Sequence, residues 1–107
     1  MTTVSGHYIL DAEGNPVPVA DVHEWVRWFE TAERHVANDR VGRFLVSTVF
    51  LGVDHAFHGG PPVLWETIIF GAEGDELNQE QWRYRSREEA LEGHRRALAL
   101  VVARAGN

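Results

Sequence analysis

At 107 residues the chain is long enough for one domain with its own core and too short for a comfortable second. It has no cysteine, which excludes disulfides, thiol nucleophiles and every thiolate metal site. Its formal charge of −6 argues against a broad electrostatic grip on nucleic acid. No apolar run approaches the length of a membrane span, and the opening MTTVSGHY lacks the charged and apolar regions of a signal peptide. The expected location is therefore the cytoplasm. All ten basic residues are arginine, so Schiff-base and P-loop lysine chemistry are excluded as well.

In chain order, residues 7–11 (HYILD) read as a short strand, followed by a turn at 12–15 in which Gly14 and Asn15 tolerate positive φ. Residues 16–19 (PVPV) return as extended chain, and their two prolines confine them to an edge. Asp21 and Glu24 have capping-box spacing, and Val22, Trp25, Val26, Phe29 and Ala32 recur at helical spacing behind them. This spacing predicts a helix that fades near 35–38, with Trp28 beside its apolar stripe as a place for a partner to dock. Residues 44–53 (FLVSTVFLGV) and 63–70 (VLWETIIF) are strands rich in β-branched and aromatic side chains. Residues 71–79 form a polar surface loop. Residues 81–85 (QWRYR) alternate strictly, with Trp82 and Tyr84 on one face and Gln81, Arg83 and Arg85 on the other. Ser86 and Glu89 open a second helix, acidic at its start and basic toward its end. The expected fold is a single α+β domain over 1–107. Its mostly antiparallel sheet has four to five strands and two helices, in the order β-β-α-β-β-β-α.

The connection VDHAFHGGPP at 53–62 concentrates Asp54, His55 and His58, and Glu66 follows inside a strand. As ligands these four would make an open divalent-metal site for a small hydrolase. Alternatively Asp54 caps the turn, His58 is solvated and Glu66 pairs with Arg43 or Arg83. No nucleophile signature accompanies Ser47 or Thr48, so catalysis ranks below binding, and no cofactor is expected. Trp65, Trp82 and Tyr84 lie on neighbouring strands with Arg83 and Arg85 nearby. Stacking plus arginine is a way to hold a small anionic, nucleotide-like ligand, with Asp54 and His55 shaping the adjacent loop. A pocket is hard to bury in a domain this small, so a homo-oligomer is expected. His94 reads as a satisfied histidine at the edge of the core.

The segments STVFLGVDH (47–55) and GPPVLWETIIFG (60–71) resemble small proteins encoded by phages and prophages of GC-rich bacteria. The helix VHEWVRWFETAERHV and the ending YRSREEALEGH extend the likeness over most of the chain. The relatives carry no assigned activity, so the resemblance transfers no catalytic residue. It implies an accessory factor acting on the host, for which two forms suggest themselves. One sequesters a nucleotide-like defence signal; the other inhibits a host protein by direct contact.

Overall fold

Alternation in the chain's most apolar stretch organises the molecule. Phe44, Val46, Thr48 and Phe50 are buried, whereas Leu45, Ser47 and Val49 between them are only partly so. A period of two is what a sheet with one closed face requires. A computed structural model describes residues 6–106, so the reading of the first five residues lies outside the described residues. The elements are β1 (Tyr8–Leu10), β2 (Pro16–Pro18), α1 (Val22–Thr31), β3 (His35–Val41), β4 (Phe44–Phe50), β5 (Trp65–Phe70), β6 (Gln81–Tyr84) and α2 (Arg87–Ala105). β1 and β2 form a hairpin, and β3-β4-β5-β6 form an antiparallel four-stranded meander. The fold is α+β, as the pattern predicts.

β3 lies where the first helix was expected to fade. α1 stops at Thr31, and Ala32 caps it in an extended conformation with its N–H donating to the Trp28 carbonyl at 2.9 Å. The chain is then captured by β4. The Arg34 carbonyl accepts the Phe50 N–H at 2.8 Å, and the Arg34 guanidinium donates to the Phe50 carbonyl at 3.0 Å. Gly42 and Arg43 alone separate β3 from β4. Gly42 takes φ 57°, the positive φ that a two-residue hairpin turn of type II′ needs at its first central position.

α2 crosses the face that carries Phe44, Val46, Thr48 and Phe50. Phe44, Val46 and Ile69 meet Ala97 and Val101 at one end. Phe50, Leu64 and Trp65 meet Ala90 at the other, with Tyr8, Leu10 and Trp28 packed against them. Each large side chain buried this way contributes about 1.5–3 kcal/mol. Trp28 is half-buried and packs against this cluster, edge-on to Phe50 with centroids 5.9 Å apart. Trp25 donates its indole N–H to the Tyr8 and Gly52 carbonyls at 3.1 and 3.0 Å, which fastens α1 to the hairpin and to the exit of β4. The opposite sheet face, with Leu45, Ser47, Val49, Ile68 and Phe70, is covered by neither helix. No described helix is long and apolar enough to cross a membrane.

Candidate functional site

The loop that concentrates Asp54, His55 and His58 is built as a bracket. One Asp54 carboxylate oxygen accepts the Ala56 N–H at 2.8 Å and the Val63 N–H at 2.9 Å, pinching the loop shut. His55 donates from Nδ1 to the Val53 carbonyl at 2.8 Å, and His58 is exposed. Glu66 is elsewhere: it is buried on the uncovered sheet face, where the Arg83 Nε donates to it at 2.9 Å. Among the described residues no three His, Cys, Asp or Glu side chains are gathered as metal ligands. The quartet Asp54, His55, His58 and Glu66 is thus not brought together here: the Asp54 carboxylate is engaged by backbone N–H groups and that of Glu66 by Arg83.

The expected aromatic–arginine wall is also divided. Strand alternation sends Trp82 and Tyr84 under α2 and Arg83 to the other face, where Glu66 holds it. Arg85 folds over the loop, donating to the Pro61 carbonyl at 2.8 Å and the Gly59 carbonyl at 3.2 Å. Trp65 is 2% exposed and stands against Phe50, centroids 5.4 Å apart. It belongs to the core, and its small exposed edge lines, with Arg85, a shallow recess of about 270 Å³ beside the β1–β2 turn. Of the residues singled out in the sequence, Trp82 and Tyr84 share one groove, whose open end Arg83 also borders.

That groove lies between β6 and α2. Trp82 and Tyr84 form one wall, and Gly93, Arg96, Ala97 and Leu100 of α2 form the other, around about 350 Å³. Past Tyr84 it continues into a more open stretch of about 470 Å³, where Glu88, Glu89 and Glu92 line the helix side. Gly93 makes the approach possible, because a Cβ there would overlap the Tyr84 hydroxyl. Burial pushes the Tyr84 hydroxyl above its usual pKa of 10.0, opposed by a side-chain hydrogen bond with Thr67 and by the charge of Arg96. Arg95, bonded to Glu92 at 2.7 Å, holds the Glu92 carboxyl below its usual range; Arg96 stands 3.5 Å from the same carboxylate. β6 is an edge strand. Since Ile69 donates to Glu80, the antiparallel alternation points the N–H and C=O of Trp82 and Tyr84 at β5 and those of Gln81 and Arg83 outward.

Beneath the groove runs a buried polar chain that sequence reasoning missed. The Asp39 carboxylate accepts from His94 Nε2 at 2.8 Å, and His94 Nδ1 lies 2.7 Å from the Thr48 hydroxyl. Thr48 in turn meets the Thr67 hydroxyl at 2.5 Å, and Thr67 reaches Tyr84. The carboxylate fixes the neutral ring's proton on Nε2, which leaves Nδ1 to accept the Thr48 O–H. Carboxylate, imidazole and hydroxyl are ordered as in a nucleophilic triad, but Thr48 and Thr67 have no exposed surface. No substrate can reach that hydroxyl, so the chain acts as a pin between α2 and the sheet. His94 on the apolar side of its helix was the signal; without β3 its partner Asp39 had no place.

Comparison with protein-family models, with curated proteins and with solved structures finds no match to this chain.

Proposed function

We propose that the chain acts by binding and not by chemistry, as a phage-type accessory protein of the host cytoplasm that inhibits a host protein. The β6–α2 groove would receive an extended segment of that partner as an added strand. The observation that supports this reading is the outward-facing backbone of Gln81 and Arg83 beside an apolar groove. Main-chain bonds to a free edge supply affinity, and a pocket under every second side chain supplies specificity. Sequestration of a small anionic ligand fares less well. Arg83 is committed to Glu66 and Arg85 to loop carbonyls, and in the open stretch where a phosphate would lie three glutamates outnumber Arg83 and Arg96. The test is selection of displayed twelve-residue peptides on the intact protein, followed by amide NMR. Selected peptides should protect the Gln81 and Arg83 amides from exchange. A nucleotide panel that shifts the Trp82 indole, with no selected peptide protecting those amides, would overturn the reading in favour of the small ligand.

The uncovered sheet face supports a second reading, that the protein is a homo-oligomer. Phe70 is 44% exposed directly across from Leu45, with Ile68 and Val49 on the same face. A second copy laid on this stripe would close it. Light scattering after gel filtration should give twice the chain mass for the native protein and the single-chain mass for Phe70→Glu. A native protein that stays monomeric at high micromolar concentration would dismiss this reading.

A further inference from the structure

We infer that the segment recognised by the groove carries a large apolar side chain and, two positions away, a basic one. The inference rests on the strand-addition reading and names the class of segment it would take. Side chains at i and i+2 of an extended segment point the same way and stand about 7 Å apart. β6 repeats that spacing in its own helix-facing residues, Trp82 and Tyr84. The two stretches of the groove differ in chemistry along this direction. At Trp82 the helix wall is Ala97 and Leu100, the latter 45% exposed, which suits an aliphatic or aromatic anchor. At Tyr84 the helix wall carries Glu88, Glu89 and Glu92. Glu88 makes no ion pair among the described residues, whereas Glu92 is shared by Arg95 and Arg96. Glu89 gives one oxygen to the Arg85 N–H at the helix start. Against these stand Arg83, neutralised by Glu66, and Arg96. The balance at that end is negative, so a lysine or arginine gains partners there and an acidic side chain meets repulsion.

Solvent-exposed pairs are weak, so a basic residue should improve affinity by about fivefold and not by orders of magnitude. The test uses three synthetic ten-residue, threonine-rich peptides that differ at one position. Each has a leucine and, two residues on, lysine, serine or glutamate, and each is titrated into the full-length labelled protein. The Trp82 indole and the Gln81 and Arg83 amides should shift with all three, tightest for lysine and weakest for glutamate. High salt should close the gap, and the double variant Glu88→Arg, Glu92→Arg should reverse the order. Equal or tighter binding of the glutamate peptide, with the same amides shifting, would overturn the inference and leave the groove reading standing. If none of the peptides shifts those amides, both fall.

Discussion

The imidazole of His94, near the middle of α2, donates to the carboxylate of Asp39 on β3 at 2.8 Å. The ring is 4% exposed and the residue it holds lies on the far edge of the sheet from the groove. One side chain thus reaches from the helix over the closed face, meeting Thr48 on the way at 2.7 Å. Its task is to seat the helix that forms the groove's outer wall.

Removing it should be costly. His94→Ala leaves the buried Thr48 hydroxyl with one partner fewer and opens a cavity under α2, so urea denaturation should show a loss of about 2–4 kcal/mol. Thr48→Val, which keeps the shape but strands the imidazole nitrogen and takes one partner from the Thr67 hydroxyl, should lose about 1–3 kcal/mol. A His94→Ala variant as stable as the native protein would remove the pin from the account.

Gly93 sits where a side chain would collide with the Tyr84 hydroxyl. Gly93→Ala should therefore cost about 1–3 kcal/mol, as overpacking does, against the small gain alanine brings to an exposed helix position. Pairing it with Tyr84→Ala should recover part of the loss, and the double-mutant cycle in thermal denaturation would show that coupling.

Tyr84 also sets a pH dependence. Burial raises its pKa above 10.0 in the folded protein, so the fold keeps the phenol proton after the unfolded chain has lost it. The contribution is complete below pH 10 and is lost as pH rises through the folded-state value. Native protein should lose stability faster than Tyr84→Phe as the pH rises above 10.0. Parallel denaturation curves above that pH would contradict the assignment.

On the uncovered face, Arg83→Ala strands the buried Glu66 carboxylate, whose side chain is 9% exposed beside an arginine at 35%. The expected loss is about 1–3 kcal/mol. The double variant Arg83→Ala, Glu66→Leu should regain most of it, since an apolar pair removes the stranded charge. Equilibrium denaturation of the three variants checks both halves.

Much of this architecture is legible in the residues. The N-caps Asp21 and Ser86 accept helix N–H groups from His23 and Glu89, and both helices begin where that spacing places them. Strict alternation marks the face that Trp82 and Tyr84 occupy. The Glu66–Arg83 pair was one of two candidates, and the register that puts those residues opposite each other decides between them. β3 was hidden because HVANDRV has no strong strand composition. It pairs because β4 offers it an edge and Gly42 turns the chain back, a tertiary preference that overrides a local one. The site was only half legible for the same reason. A sequence shows that arginines lie near aromatics, but the pleat decides that they face opposite ways.

The meander has a consequence for how the molecule is made. Its four strands lie in space in the order in which they leave the ribosome, so each pairing closes a short stretch of chain and can form early. The Asp39–His94 contact instead spans 55 positions, and the helix that covers the closed face is synthesised after all four strands. Until α2 emerges, a nascent chain carries an open sheet with Phe44, Val46 and Ile69 bare. A product truncated before Ser86 would therefore be a ready substrate for chaperones and proteases.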